Sequence, residues 1–341
     1  MVTTPIFNRE LISRYDKAGP RYTSYPTAVQ FHEEFRSDNY IENALLTNEN
    51  MVPNPLSLYF HLPFCSTVCY YCACNKIITR NRKHAVPYLK LLHKELELQS
   101  RLFDKDRQVD QLHWGGGTPT FISMEQMSEL MQATRSLFSL RDNDEGEYSV
   151  ELDPRECNAE TISLLRQLGF NRISLGVQDF NPEVQKAVNR IQSEEETYSI
   201  IEASRKEGFK SVNLDLIYGL PKQTALSFSQ TLEKVISMQP DRLSIFNYAH
   251  MPDRFKVQKQ IRGSDLPDPA IKLEISQNNV ETLTKAGYVY IGMDHFAKPD
   301  DELAIAQQQG GLTRNFQGYS TRGECDIVSM GISAISKIGD C

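Results

Sequence analysis

Four cysteines lie within ten residues of the sequence, and their spacing can do chemistry. Cys65, Cys69 and Cys72 have the spacing C-x3-C-x2-C, and Cys74 follows two residues later. Three close thiolates can hold three irons of a [4Fe–4S] cluster and leave the fourth iron open to a non-protein ligand. The alternative is a structural zinc site that uses all four cysteines, although zinc loops usually pair two C-x2-4-C halves across a long span. No second pair is present, so the cluster is favoured, and geometry leaves Cys74 open as a fourth ligand.

Polar and glycine residues at strand ends form a second group with chemical potential. Gly115–Thr118 follows the second predicted strand, and glycines there let a ligand approach the backbone closely, because no Cβ intervenes. Four further residues lie at or just beyond the C-terminal ends of predicted strands three to six, namely Glu151, Gln178, Asp215 and Ala249. Any one of them can simply cap a loop. In α/β barrels, however, sites assemble at this end of the strands, so together these residues predict a ligand site.

A repeated strand–helix pattern positions these residues. The predicted strands are Leu56–His61, Val109–Trp114, Tyr148–Asp153, Asn171–Val177, Ser211–Tyr218 and Arg242–Tyr248. The predicted helices are Tyr88–Phe103, Met124–Phe138, Ala159–Leu168, Glu183–Arg190, Glu196–Glu207 and Ala225–Met238. Alternation at roughly 32 residues per unit indicates a parallel α/β sheet. Six units are too few for a closed eight-stranded barrel. A partial (β/α)6 barrel or a doubly wound sheet remain, and the placement of the motifs favours the barrel.

The two ends of the chain lack this strand–helix alternation. Residues 1–55 are polar and turn-rich, without sustained periodicity. Beyond the sixth strand we expect a helix over Ala270–Ala286, a strand over Tyr288–Asp294 and a loop over Gln307–Gly311. The apolar segment Asp326–Gly339 stops soon afterwards without a polar tail, which suggests a truncated chain. The predicted division is an N-terminal capping segment (1–55), a barrel (56–250) and a truncated barrel extension (251–341).

Composition excludes several classes of protein. The chain of 341 residues is 40% hydrophobic and 24% charged, values of a globular protein. A net charge of −7 argues against a nucleic-acid or anionic-membrane binder. No apolar run reaches the length of about 18 residues needed for a membrane span, and the N-terminus lacks the pattern of a secretory signal. We therefore expect a cytoplasmic protein with reduced thiols, in which a cysteine cluster indicates a metal site.

The cysteine loop and several longer sequence motifs resemble those of known protein families. The Cys65-x3-Cys69-x2-Cys72 loop after the first strand resembles the signature of the radical S-adenosylmethionine (radical SAM) superfamily, whose strands form a partial (β/α)6 barrel. More specific strings resemble the oxygen-independent coproporphyrinogen III oxidase (dehydrogenase) family. They are Pro20–Ala28, Cys72–Lys76, His113–Thr120, Glu151–Glu156, Gly176–Asn181, Asp215–Pro221 and Gly292–Phe296. The resemblance runs from about residue 10 to the end, and the family's mostly helical C-terminal domain is missing from this sequence.

The resemblance implies a set of site residues. It assigns the cluster to Cys65, Cys69 and Cys72 and keeps Cys74 outside it. It assigns a first S-adenosylmethionine, bound to the cluster, to Tyr59, Gly116, Glu151 and Ile335. It assigns a second S-adenosylmethionine to Tyr71, Gly117, Thr118, Gln178, Arg190, Asp215 and Ala249. Arg21, Arg155, Arg314 and Arg322 can bind substrate carboxylates, but surface ion pairing is at least as common, so they stay outside the predicted site. No catalytic side chain is assigned.

The implied activity is the oxygen-independent oxidative decarboxylation of coproporphyrinogen III to protoporphyrinogen IX in haem biosynthesis, through a 5′-deoxyadenosyl radical. The implied electron donor is a low-potential flavodoxin or ferredoxin, and we expect a monomer. The alternative is a haem chaperone of the sibling radical SAM family. In that family an aromatic residue typically replaces the fourth cysteine of the loop, and the segment Pro20–Pro26 is absent. A plain electron-transfer protein would leave the glycine motif and the strand-end carboxylates unexplained.

Overall fold

The computed structural model describes residues 7–15, 27, 30–339 and 341, so most of the Pro20–Ala28 motif, including Arg21, lies outside the described residues. The strands are β1 (Leu56–Leu62), β2 (Phe64–Cys65), β3 (Ile77–Ile78), β4 (Gln108–Gly116), β5 (Ser139–Leu140), β6 (Glu147–Leu152), β7 (Arg172–Gln178), β8 (Ser211–Tyr218), β9 (Arg242–Asn247), β10 (Val289–Gly292), β11 (His295–Ala297), β12 (Thr313–Asn315), β13 (Gly318–Ser320) and β14 (Asp326–Met330). The helices are α1 (Arg9–Tyr15), α2 (Ser37–Asn48), α3 (Ala85–Ser100), α4 (Met124–Leu137), α5 (Ala159–Gln167), α6 (Pro182–Ala187), α7 (Glu194–Lys206), α8 (Ala225–Ser237), α9 (Pro269–Lys285) and α10 (Glu302–Gln309).

The order of the strands decides between the two predicted architectures. The main sheet runs β10-β11-β9-β8-β7-β6-β4-β1-β14, and its six central strands are neighbours in the order in which the chain makes them. All five pairings among those six strands are parallel. Because right-handed crossovers without a reversal of strand order place every helix on the same face, this is a barrel-type sheet. A doubly wound sheet reverses its order and places helices on both faces.

Residues outside the six units extend both edges of the sheet. At one edge β14 pairs in parallel with β1, so that Asp326 faces Leu56. At the other edge β11 pairs antiparallel with β9 and with β10. In the described part of the chain no ladder joins β10 to β14, so the barrel is open.

Helix α4 illustrates why these segments form where they do. The Ser123 hydroxyl accepts a hydrogen bond from the Gln126 backbone N–H, and the Gln126 side chain accepts one from the Ser123 N–H. This capping box satisfies two N–H groups at the start of the helix. Met127, Leu130 and Met131 are buried in the core, and their spacing of three and four residues gives the apolar face that the sequence predicts.

Two sequence predictions differ from the structure. The sequence predicts a loop over Gln307–Gly311, but Gln307–Gln309 form the last turn of α10, and Gly310, with a left-handed φ of 77°, caps that helix. The Gln307 side chain donates to the Ile291 carbonyl at 2.7 Å, so this glutamine-rich turn is held against β10. In residues 1–55 the structure contains α1 and α2, which lack the apolar periodicity that would have predicted them.

Helix α6 is also shorter than predicted, because it ends at Ala187 and Asn189 takes a left-handed φ of 55°. The expected strand over Tyr288–Asp294 is confirmed as β10 in its central four residues. Among the described residues, no helix is long and apolar enough to cross a bilayer.

Candidate active site

The cysteine loop is held at the end of β1 by contacts from two directions. It leaves β2 at Cys65 and returns along β3, and the Thr79 N–H donates to the Cys65 carbonyl at 3.0 Å. On the other side the Tyr70 N–H donates to the Val188 carbonyl at 3.0 Å, and the Asn189 side chain donates to the Val68 carbonyl at 2.8 Å. The left-handed turn after α6 therefore holds the loop in place.

A cavity of about 330 Å³ opens at the carboxyl end of the central strands. The three predicted cluster ligands, Cys65, Cys69 and Cys72, line it, and so does Cys74. Eight of the eleven residues predicted to bind S-adenosylmethionine line it too, namely Tyr71, Gly116, Gly117, Thr118, Glu151, Gln178, Arg190 and Asp215. Residues spread over more than 150 positions of the sequence therefore meet at one opening.

Two glycines let the end of β4 approach the cysteine loop. A Cβ on Gly117 would lie 2.7 Å from the Phe64 carbonyl oxygen, closer than real Cβ contacts. Without it, the Gly117 N–H donates to the Leu62 carbonyl at 2.8 Å and the Thr118 N–H donates to the Phe64 carbonyl at 2.7 Å. Gly116 has a φ of +106°, which disfavours any other residue. The glycine motif thus holds Leu62 and Phe64, which lie just before Cys65, through backbone hydrogen bonds.

Glu151, on β6, lines the cavity and contacts the end of β4. Its carboxylate accepts a hydrogen bond from the Gly116 N–H at 3.1 Å, and His113 Nε2 lies 3.2 Å from its other oxygen. The Tyr59 ring stacks on His113, with ring centres 5.7 Å apart. Burial raises the pKa of Glu151, but its interactions with His113, the Gly116 N–H and His61 together outweigh burial and hold the net pKa below its usual value. Glu151 is therefore an ionised acceptor at neutral pH.

Two arginines and one carboxylate surround Cys69. Arg190 donates to Asp153 at 2.9 Å, and the same nitrogen lies 3.6 Å from Cys69 Sγ. Arg155 donates to both oxygens of Asp153, at 2.9 and 2.6 Å, and lies 4.0 Å from Cys69 Sγ. The two guanidinium charges hold the pKa of Asp153 below its usual value, against the effect of its burial. The trio carries a net charge of +1 beside a buried thiol.

The pKa of Asp215, on β8, is shifted in the opposite direction from that of Asp153. Ser174 and Asn213 donate to its two oxygens at 2.8 and 2.7 Å. Burial raises the pKa of Asp215 to about 6, and the nearby charge of Glu151 adds to that effect. Neighbouring carboxylates whose pKa values are pushed apart in this way are common at ligand sites.

The thiols of the loop fit a cluster. Each thiolate of a cluster binds a different iron, so the three thiols need not meet at one point. Among the described residues, no three His, Cys, Asp or Glu side chains meet closely enough to hold a single ion. A hydrogen bond from Cys74 and the charge of Lys76 lower the pKa of the Cys72 thiol to about 6, although burial opposes them. Three thiols facing one cavity that also holds carboxylate acceptors fit a [4Fe–4S] cluster with a polar ligand.

Three predicted site residues lie outside the cavity lining. Tyr59 hydrogen-bonds His61 at 3.1 Å and stacks on His113, which in turn lies 3.2 Å from the cavity residue Glu151. Ala249 is exposed after β9. Ile335 lines a separate cavity beside Phe31, and its carbonyl accepts a hydrogen bond from Ser329. Their assignments stay predictions.

Sequence reasoning left out several residues that the cavity contains. The cavity is also lined by Lys76, Asp153, Gly176, Ile217 and Phe246. Arg155, which the sequence suggests only as a ligand of substrate carboxylates, lines it too. Asp153 and Arg155 belong to the Glu151–Glu156 motif, which contributes to the family resemblance but by itself assigns no role to either residue. Of the other arginines considered, Arg314 stacks on Tyr319 and Arg322 lies 3.6 Å from Asp110, both away from this cavity.

The barrel-type sheet, the cysteine loop after β1 and the glycine motif after β4 define a radical SAM protein. The sequence model of the radical SAM superfamily matches residues 59–235, which hold the loop and most of the cavity. Proteins of this superfamily use a [4Fe–4S] cluster and S-adenosylmethionine. The fold class predicted from the sequence, a partial (β/α)6 barrel with additions at both ends, is confirmed.

Within that superfamily, the chain belongs to the oxygen-independent coproporphyrinogen III oxidase family. It is 57% identical to the Pseudomonas aeruginosa member over 340 residues, covering 100% of this chain and 74% of that protein. It is 52% identical to the Escherichia coli K12 member over 331 residues, covering 97% of this chain and 71% of that protein. The solved structure of coproporphyrinogen III oxidase from Escherichia coli, described as a radical SAM enzyme, matches with a TM-score of 0.92 and 49% identity, covering 99% of this chain and 75% of that one. None of these relatives carries the name of a haem chaperone.

Proposed function

We propose that this chain catalyses the oxygen-independent oxidative decarboxylation of coproporphyrinogen III to protoporphyrinogen IX, a step of porphyrin biosynthesis. Each of two propionate side chains loses a hydrogen atom, carbon dioxide and one electron and becomes a vinyl group. This proposal rests on one observation: three cysteines, the glycine motif and the carboxylates of Glu151 and Asp215 all line one cavity. When bound there, a reduced cluster and S-adenosylmethionine supply a 5′-deoxyadenosyl radical.

The chain's own residues bind and orient these groups. Cys65, Cys69 and Cys72 hold the cluster, and Cys74 stays outside it. Glu151, ionised and fixed by Gly116 and His113, accepts hydrogen bonds from the amine or hydroxyls of a first S-adenosylmethionine. Asp215 and Arg190 contribute to a second. The complete proposed sets are Tyr59, Gly116, Glu151 and Ile335 for the first molecule, and Tyr71, Gly117, Thr118, Gln178, Arg190, Asp215 and Ala249 for the second.

Further parts of the proposal concern the protein as a whole. A low-potential flavodoxin or ferredoxin donates the electron, and the protein acts as a monomer in the cytoplasm. Its parts are an N-terminal capping segment (1–55), the barrel (56–250) and a barrel extension (251–341).

The test is anaerobic reconstitution with iron and sulfide, followed by an assay of 5′-deoxyadenosine and vinyl products with and without coproporphyrinogen III. We expect both products to require the substrate, the reductant and S-adenosylmethionine. S-Adenosylmethionine should also change the electron paramagnetic resonance spectrum of the reduced cluster, since its amine and carboxylate would bind the open iron. A spectrum that stays the same at saturating S-adenosylmethionine would contradict an open iron, and deoxyadenosine without any vinyl product would contradict the substrate.

A further inference from the structure

The segment around the cysteine loop is basic, although the whole chain is acidic. The chain contains 44 Asp and Glu residues in 341 positions, about one in eight, and yet residues 50–94 contain none. The same segment holds six basic residues, Lys76, Arg80, Arg82, Lys83, Lys90 and Lys94, whereas the net charge of the protein is −7. This uneven distribution concentrates positive charge in the segment that carries the cysteine loop.

Four of these cations lie on the surface that β3 and the start of α3 form. Arg80, Lys83 and Lys90 are exposed, and the Arg82 side chain is 53% exposed. Among the described residues, Arg82 is the one of the four with an ion-pair partner, at 3.8 Å from Glu156. The other three charges therefore remain unneutralised by neighbouring carboxylates and can act on an approaching molecule.

Apolar side chains lie among these charges. Ile77 and Ile78 are each 42% exposed, and Val86 is 54% exposed. We call these three residues, with Arg80, Arg82, Lys83 and Lys90, the basic surface. Apolar contacts bordered by charged side chains are typical of protein–protein interfaces. None of the seven residues lines the cavity, whereas sites for small molecules are concave. The basic surface therefore suits a protein better than a small anion.

The basic surface is joined directly to a predicted cluster ligand. β3 pairs in parallel with β2, and Ile78 lies opposite Cys65 in the register. The Ile77 N–H donates to the Pro63 carbonyl at 2.7 Å, and the Thr79 N–H donates to the Cys65 carbonyl at 3.0 Å. A molecule docked on Ile77 and Ile78 is thus separated from the cysteine loop by one pair of hydrogen-bonded strands.

We propose that the basic surface docks an acidic one-electron carrier protein, which delivers the electron that the cluster requires. The proposal rests on the proposed function, since that function needs an external reductant. One electron leaves the reduced carrier and enters the cluster, and no bond forms or breaks at the surface. Opposite charges guide the two proteins together and set their orientation, while the isoleucines exclude water from the contact. The competing occupants are the carboxylates of the substrate and a second copy of this chain.

The test compares two double variants of the whole chain, each reconstituted with its cluster. Arg80→Glu/Lys83→Glu reverses two charges of the basic surface. Lys105→Glu/Lys206→Glu makes the same change of net charge at exposed lysines elsewhere. Stopped-flow spectroscopy measures cluster reduction by a reduced flavodoxin, an acidic one-electron carrier. At low salt we expect the first variant to be reduced about tenfold more slowly than wild type and the second to be nearly unchanged. Raising the salt concentration should slow wild type and leave the first variant almost unaffected.

Further measurements separate this proposal from its competitors. Dithionite should reduce the clusters of all three proteins to the same final extent, which shows that the cluster itself is intact. If Arg80→Glu/Lys83→Glu is reduced by flavodoxin at the wild-type rate, the proposal is wrong. It is also wrong if that variant instead raises KM for coproporphyrinogen III, or changes the oligomeric state in sedimentation. Should the double variant fail to take up iron, Arg80→Gln and Lys83→Gln singly must each slow the reaction about two- to threefold.

The proposed function can fail separately. A wild-type protein that forms deoxyadenosine with dithionite, but accepts no electron from reduced flavodoxin or ferredoxin, would overturn the docking proposal and leave the function standing. A wild-type protein that forms no deoxyadenosine with any reductant would overturn both.

Discussion

Arg190 donates a hydrogen bond to Asp153 at 2.9 Å with a nitrogen that also lies 3.6 Å from Cys69 Sγ. The two side chains are 7% and 11% exposed, so the ion pair is largely removed from water. Since Arg155 shares the same carboxylate, one anion compensates two cations. Asp153 therefore fixes the positions of both guanidinium groups around the cysteine loop.

Replacement of Asp153 should destabilise the protein strongly. Asp153→Asn keeps the size of the side chain but leaves two partly buried arginines without their anion, and removing one partner of a buried pair costs about 3 kcal/mol or more. The measurement is the free energy of unfolding in urea. Asp142→Asn is the control, because Asp142 also pairs with an arginine but is 87% exposed. It should lose less than about 1 kcal/mol, and equal losses in both variants would contradict the role of Asp153.

Gly117 should tolerate no side chain. The Cβ of Gly117→Ala would meet backbone atoms of Pro63 and Phe64 at 2.7 Å, which cannot move without displacing the strand before Cys65. We expect a loss of about 1–3 kcal/mol of unfolding free energy, together with a lower iron content after reconstitution. Gly311→Ala is the matched control, since a Cβ there meets nothing within 4 Å. A Gly117→Ala protein with wild-type stability and iron content would show that the close approach is not required.

The four cysteines of the loop should differ in how much the bound iron depends on them. Serine at Cys65, Cys69 or Cys72 should abolish most of the cluster absorbance after reconstitution, because each thiolate binds its own iron. Cys74→Ser should retain most of its iron, since Cys74 is exposed and lies outside the proposed ligand set. Iron and sulfide analysis of the four variants provides the comparison. A loss at Cys74 as complete as the loss at Cys69 would contradict the open iron.

Asp215 should make stability depend on pH in the acid range. Its pKa is raised from 3.8 to about 6 in the folded protein, so the unfolded chain ionises first as the pH rises. The stabilisation is complete below about pH 4 and is lost as the pH rises through 6. The difference in unfolding free energy between wild type and Asp215→Asn should therefore fall by about 2–3 kcal/mol between pH 4 and 7.

The exposed Asp142→Asn variant controls for general charge effects and should show no such trend. A difference between wild type and Asp215→Asn that stays constant from pH 4 to 7 would mean that Asp215 ionises normally in the folded protein.

The sequence by itself determined the features that depend on neighbouring residues. The strand–helix alternation placed the six central strands within a few residues of their bounds, because the period of the apolar residues is a local property. The spacing of Cys65, Cys69 and Cys72 indicated the cluster loop, and Gly115–Thr118 indicated a close approach of the backbone. Nothing local predicted α2, whose exposed face carries Ile41, Leu45 and Leu46.

The tertiary structure decided which distant residues share a contact. It paired Asp326–Met330 with Leu56–Phe60, across 270 positions of the chain. It also brought Asp153, Arg155 and Arg190 to Cys69, and it put Ile335 in a different cavity from Glu151. The physical reason is that the pairing of an arginine or the partner of an edge strand depends on the path of the whole chain. One sequence shows the type of each side chain and its periodicity, whereas the sheet order and the turns determine which of those side chains meet.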